Sequence, residues 1–240
     1  ISALSANDVW VVGSNNTILH TTDGGGYWAS MSDPAYDIYN MTSITAVDAS
    51  NIWVCGATAD DAVILHSTDG GANWTAEGDS TLLTGYPLIS ISAFDQNHCW
   101  TVGHGYTVAR TSNSGVNWDL CVPDSLQRTP FSDDANGVCP TGEDRAWVAM
   151  DYGKLYFTAD GGNSWTQQQV PDSAGGYYLL RTCATDQNTA WTVGIGVGNG
   201  IILHTTDGTT WTSQTAPANS GLNDVSFVVL APAVGLALRG

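Results

Sequence analysis

Tyrosines and aspartates gather in a few polar stretches of this chain. Tyr36, Asp37 and Tyr39 fall in "DPAYDIYN" at 33–40, and Tyr86 in "STLLTGYP" at 80–87. Asp133 and Asp134 close "DSLQRTPFSDDAN" at 124–136, and Tyr177 and Tyr178 lie in "PDSAGGYYLLR" at 171–181. Shorter loops add Asp60, Asp61, His104, Asp151 and Tyr152. A flat ring for stacking beside a carboxylate that accepts hydrogen bonds suits a sugar or a peptide. Glycoside hydrolysis asks for more, namely two carboxylates converging on one bond. Asp37, Asp61, Asp133, Asp134 and Asp151 are the available acids, and no spacing among them brings two face to face. Asp133–Asp134 also reads as a solvated turn or a weak calcium pair. No metal and no cofactor is expected.

His20, His66 and His204 would tempt a metal reading, because they hold the same place before a recurring phrase. Equivalent positions in a repeat are separated by whole units, so the three cannot share one ion. Of five cysteines, Cys55, Cys99, Cys121, Cys139 and Cys183, no two form a CxxC pair, which disfavours zinc and thioredoxin-type chemistry. Cys139 and Cys183 each lie eight residues before a tryptophan, which places both on innermost strands of adjacent units. Cys121 and Cys139 bracket the longest connector, where a disulfide would fasten it; free buried thiols fit equally.

The recurring phrase decides what positions these groups. "HTTDGGGYW" (20–28), "HSTDGGANW" (66–74), "RTSNSGVNW" (110–118), "FTADGGNSW" (157–165) and "HTTDGTTW" (204–211) carry Asp23, Asp69, Asn113, Asp160 and Asp207, spaced by 46, 44, 47 and 47 residues. Five tryptophans end the phrases: Trp28, Trp74, Trp118, Trp165 and Trp211. The other five, Trp10, Trp53, Trp100, Trp147 and Trp191, stand upstream in matched contexts such as "NDVWVVG". Each unit reads as four short strands divided by Asp, Asn and Gly turns. A period near 46 with four strands per unit predicts a β-propeller with one sheet per blade. In the phrase, the acid accepts turn N–H bonds, the glycine supplies positive φ, and the tryptophan packs on a neighbouring sheet.

We expect one domain over 1–240, with repeats near 1–40, 41–87, 88–134, 135–178 and 179–219 and a partial unit at 220–240. The tail "LNDVSFVVLAPAVGLALRG" resembles the first two strands of a sixth blade. Five blades and a half from a longer propeller is the simplest reading; a closed five-bladed ring with an appended hairpin is the alternative. An unfinished blade would leave a sheet edge open to self-assembly. The start at Ile1 suggests a processed chain or a fragment.

Composition agrees with such a fold. Glu77 and Glu143 are the only glutamates, Lys154 is the only lysine, and there are 27 glycines. This is a chain of turns and strands rather than exposed helices. The net charge of −17 disfavours nucleic acid and anionic membrane as partners. No apolar run approaches a membrane span, so no direct membrane insertion is expected. The sequons at Asn15, Asn40 and Asn73 are read as chance.

The phrases resemble the Asp-box, or BNR repeat, of pattern [ST]-x-[DN]-x-G-x-x-W. Thr21–Trp28, Ser67–Trp74, Thr111–Trp118 and Thr158–Trp165 fit it, and Thr205–Trp211 is one residue short. The extended phrase "WVVG…ILHTTDGG…W" is most similar to the photosystem II assembly-factor (YCF48-like) propellers. Sialidases, xyloglucanase-type hydrolases and sortilin-type receptors carry the box on other scaffolds. The resemblance implies that the boxes lie on one rim and that ligands meet the other rim or the central channel. There it collects Tyr36, Tyr39, Asp61, Tyr86, His104, Asp133, Asp134, Asp151, Tyr152, Tyr177 and Tyr178. A sialidase would need three arginines around a carboxylate, and Arg110 and Arg145 stand at or near the box rim. With no basic cluster visible, the photosystem role is not expected to carry over. The expectation is a non-catalytic binding or scaffolding propeller for a protein or glycan partner, placed extracellularly, at the cell surface or in the periplasm. A carbohydrate-active enzyme or lectin, or a surface-assembly subunit, are the alternatives.

Overall fold

A computed structural model describes residues 1–78, 85–122, 133–171, 177–196, 199–216 and 221–226. Among these residues twenty strands form five antiparallel four-stranded sheets, each in sequential order. Blade I holds β1 (Ser2–Ala3), β2 (Val9–Gly13), β3 (Thr17–Thr21) and β4 (Ala29–Ser30). Blade II holds β5 (Asn40–Ala46), β6 (Ile52–Ala57), β7 (Ala62–Ser67) and β8 (Thr75–Glu77). Blade III holds β9 (Leu88–Ala93), β10 (Cys99–Gly103), β11 (Thr107–Thr111) and β12 (Asp119–Leu120). Blade IV holds β13 (Ala135–Gly142), β14 (Arg145–Met150), β15 (Leu155–Thr158) and β16 (Thr166–Gln167). Blade V holds β17 (Tyr178–Ala184), β18 (Ala190–Ile195), β19 (Gly200–Thr205) and β20 (Thr212–Gln214). The chain is thus an all-β propeller of four-stranded blades. Of the expected sixth unit, Gly221–Ser226 carries no strand, and 227–240 lies outside the described residues.

The blades cohere through apolar layers between successive sheets, because each short sheet is apolar on both faces. Trp10 and Ile18 of blade I meet Ile44, Ile52, Val54 and Trp74 of blade II. Trp53 and Ile64 meet Leu88, Ile91 and Trp118. Trp100 and Val102 meet Ala135, Val138 and Val148. Trp147 and Leu155 meet Leu179, Leu203 and Trp211. At each junction the box tryptophan of one blade stands edge-on to the second-strand tryptophan of the blade before. The pairs are Trp74–Trp10 (6.5 Å), Trp118–Trp53 (5.9 Å), Trp165–Trp100 (6.0 Å) and Trp211–Trp147 (5.3 Å). T-shaped indole pairs add about 0.5–1.5 kcal/mol each beyond their buried area. Trp74 Nε1 also donates to Met31 O, and Trp165 Nε1 to Cys121 O, across the junction.

The residue before each box faces the second-strand tryptophan across the ladder. His20 stacks on Trp10 at 3.8 Å, His66 on Trp53 at 3.6 Å and His204 on Trp191 at 4.1 Å. Phe157 fills this place against Trp147, and Arg110 against Trp100. The histidines therefore sit in three different blades, each spent on an indole.

The box itself is a closed knot of hydrogen bonds. In blade II Ser67 Oγ donates to Asp69 Oδ1 and accepts from Gly71 N, while Asp69 Oδ1 accepts from Asn73 N. Thr21–Asp23, Thr111–Asn113, Thr158–Asp160 and Thr205–Asp207 repeat the arrangement. Donation from the turn holds Asp23, Asp69, Asp160 and Asp207 below the usual carboxylate range. Gly71 (φ +82°) is needed twice over: a methyl group there would meet Trp10 Cη2 of blade I at 2.6 Å. Gly115 stands against Trp53 in the same way.

Candidate functional site

The rim opposite the boxes is built from the turns between second and third strands, together with the segments that enter each blade. Type I′ geometry suits two-residue hairpins, and it demands positive φ. Asn15–Asn16, Gly105–Tyr106 and Tyr152–Gly153 all supply it. Tyr152 has φ 54° and ψ 36°, a left-handed conformation that a bulky side chain adopts only under constraint.

Three blades converge here on one polar chain. Lys154 Nζ lies 2.5 Å from Asp133 Oδ2 and donates to Tyr106 Oη at 2.7 Å, and Tyr106 Oη donates to the same carboxylate at 2.5 Å. Burial alone would raise Asp133, but the bonds from Lys154 and Tyr106 outweigh it and hold the carboxyl low. Burial would lower Lys154, and Asp133 and Tyr106 reverse that and raise it. Tyr106 is pushed up by burial first and by Asp133 second. The triad is thus a fixed ion pair with a protonated phenol. Next along, His104 Nδ1 is 3.0 Å from Asp134 Oδ2. Asp151 accepts from Asp134 N at 3.2 Å and from Asn136 Nδ2 at 2.8 Å. Asn136 Nδ2 reaches Leu179 O, and Arg181 Nη1 donates to Asn136 O.

His104 and Arg181 also line a cavity of about 800 Å³. Asn40 and Thr42 of β5, Thr58 and Asp60 of the turn between β6 and β7, and Leu88 and Ile89 of β9 also line it. Strands β5, β9 and β17 are the innermost of their blades, so the cavity is the mouth of the axial channel on this rim. Beside it Tyr152 (51% exposed) and Tyr178 (40% exposed) hold their ring centroids 5.5 Å apart. Ile195, paired with Tyr178 across the ladder, extends the exposed apolar surface.

The residues expected from sequence divide into four groups. His104, Asp133, Asp134, Asp151, Tyr152 and Tyr178 come together as described. Tyr36 and Tyr39 lie apart, packed on the core between blades I and II, where Tyr39 Oη donates to Asp61 at 3.2 Å. Tyr86 is half-buried where the chain enters blade III. Tyr177 is turned inward: it is 3% exposed and donates to Pro171 O. Sequence reasoning does not single out Tyr106, Asn136, Lys154 or Arg181. The lone lysine of the chain, set in a rim turn, is the one available signal. The Cys121–Cys139 disulfide is not formed, and Cys139 instead faces blade V. Among the described residues no three metal-ligating side chains cluster, and no helix is long and apolar enough to cross a membrane.

Five radially ordered sheets, a repeated box on one rim and a polar mouth on the other define an Asp-box β-propeller. The family model described as "Photosynthesis system II assembly factor YCF48" matches residues 1–142, and the chain belongs to this family. The photosystem II assembly lipoprotein Ycf48 of Synechococcus sp. (strain CC9902) is 31% identical over 219 residues, 91% of this chain and 49% of the relative. The chain therefore spans about half the length of that curated relative. The solved YCF48 of Cyanidioschyzon merolae is 19% identical with a TM-score of 0.50, over 95% of this chain and 88% of that one. An ancestral GH74 enzyme has a TM-score of 0.68 at 14% identity, over 88% of this chain and 30% of its own. These two likenesses concern the fold alone.

Proposed function

We propose that this chain is a non-catalytic, extracytoplasmic propeller that binds a segment of a partner protein at the channel mouth and the adjoining tyrosine rim. The role of the family and the lipoprotein relative, assembly rather than turnover, supports a protein partner. The observation that carries the reading is Tyr152. A large ring held half-exposed on a left-handed backbone costs folding energy, and such strain gathers at binding sites. Its counterpart Tyr106 has a hydroxyl committed to Asp133; the Tyr152 ring instead offers a stacking face with Tyr178.

The rim carboxylates are poor candidates for hydrolysis. A glycosidase acid needs a raised pKa, whereas Asp133 is lowered and tied to Lys154. Asp134 and Asp151 are engaged with His104 and Asn136. What they offer is a negative border around an apolar anchor point. The partner segment that fits has an aromatic or aliphatic anchor with Lys or Arg beside it, held by stacking and cation–π contact.

Panning a random peptide library on the folded chain, with a glycan array run in parallel, tests this. The expected peptides are basic and aromatic. Tyr152→Ala with Tyr178→Ala should weaken them about tenfold or more at unchanged Tm, and salt should weaken them further. A glycan that binds while no peptide does, or peptides indifferent to both substitutions, would refute the proposal.

A further inference from the structure

The innermost strands of blades IV and V touch backbone to backbone. A methyl group on Gly137 of β13 would meet Arg181 Cα and Leu180 O at 2.9 Å each and Thr182 N at 3.2 Å. Glycine is what lets the two strands close up at that point. Two residues further along both strands, in the same direction, stand Cys139 and Cys183. Ala184 N donates to Cys139 Sγ at 3.2 Å, and the Cys183 thiol is near enough to act on that of Cys139. Strands in contact through a glycine can bring the two Cα atoms within the ~4.4–6.8 Å that a disulfide spans. The other three cysteines are placed differently. Cys55 and Cys99 are fully buried in the layer between blades II and III, and the Cys121 thiol points at Gly161 O. Cys139 and Cys183 alone are partly exposed.

We propose that Cys139 and Cys183 are the oxidisable pair of this protein, and that a disulfide between them staples blades IV and V beside the axis. The site lies at the end of β13 and β17 nearer the Asp-box rim, away from the tyrosine mouth, and does not depend on the partner proposed above. The oxidant is an external disulfide, either a small-molecule one or an oxidised dithiol protein. One thiolate attacks an external sulfur, forms a mixed disulfide and releases one external thiol. The second thiolate then displaces the remaining external sulfur. One S–S bond forms and one breaks, two thiol protons are lost, and two electrons pass to the external disulfide, which leaves as two thiols. The neighbouring Cys183 thiol and burial push the Cys139 thiol well up, so thiolate is scarce at neutral pH and the reaction quickens as pH rises.

The test incubates the folded chain with glutathione disulfide near pH 8.5, traps remaining thiols with iodoacetamide, and maps a non-reducing peptic digest by mass spectrometry. The expected product has lost about 2 Da, contains a peptide linking Cys139 to Cys183, and leaves the other three cysteines alkylatable once unfolded. Its Tm should rise by about 5–10 °C over the reduced chain, since the bridge closes a blade-length loop. In Cys183→Ser the link and the rise should both vanish. Cys139 and Cys183 recovered free, either one found linked to Cys55, Cys99 or Cys121, or a link that leaves Tm unchanged would each overturn the proposal. Because the link is mapped in the parent chain itself, the outcome does not depend on how well the serine variant folds.

Discussion

Lys154 shows how one side chain can organise a rim. It is 26% exposed, its partner Asp133 is 20% exposed, and a phenol closes the third side. Lys154→Met should therefore leave a half-buried carboxylate unpaired and cost about 1–2 kcal/mol, less than a fully buried pair because solvent screens it. The pH dependence follows from the direction of the shift. Asp133 is lowered in the folded state, so its contribution is present above the ordinary carboxylate value and is lost as pH falls below it through the lowered folded value. Urea unfolding of parent and variant should differ most near pH 7 and converge as pH falls below about 4. A gap that stays constant with pH would mean that the lysine acts through its alkyl stem rather than its charge. Neither Lys154 nor Tyr106 is visible as a partner of Asp133 in the sequence, because the three belong to different turns and a connector. Tyr177 and Tyr178 make the same point. The two neighbours point opposite ways, one into the core and one out, and only the phase of strand β17 decides which.

At the level of the element, the Asp-box turn is specified more tightly than hydrogen bonding alone requires. Its second glycine answers both to its own φ and to the indole of the preceding blade. Gly71→Ala separates these demands from those at Gly85, where φ is +80° but no atom lies within 4 Å of the added methyl. Gly85→Ala should cost only about 1 kcal/mol of backbone strain, whereas Gly71→Ala, which must also displace Trp10, should cost about 2–4 kcal/mol. Denaturant midpoints measure both, and equal losses would show that the indole contact is soft. The box is fully legible as a sequence pattern. That its glycine and tryptophan serve the neighbouring blade becomes visible only with the sheets in place.

For the whole molecule, stability resides in the junctions between blades, as in other repeat proteins. Equivalent tryptophans should then differ by position in the array. Trp118 is sandwiched between blades II and III, while Trp28 belongs to the first blade and is 37% exposed. Trp118→Ala should cost about 3–5 kcal/mol, and Trp28→Ala about 1 kcal/mol or less. Thermal or urea unfolding compares them directly. Similar losses would mean that Trp28 is covered in solution, as it would be if another blade or a second copy packed on that face.

The sequence by itself determined the repeat, the four strands per unit and the identity of the residues that bind one blade to the next. It could do so because these depend on local turn chemistry and on a period set by sheet size, both written continuously along the chain. Only the tertiary structure decided which tyrosines face solvent, that Arg181 and His104 share the channel mouth, and that Cys139 meets Cys183 rather than Cys121. Those pairings join residues from different blades, and their distances are fixed by how sheets pack around an axis rather than by separation along the backbone.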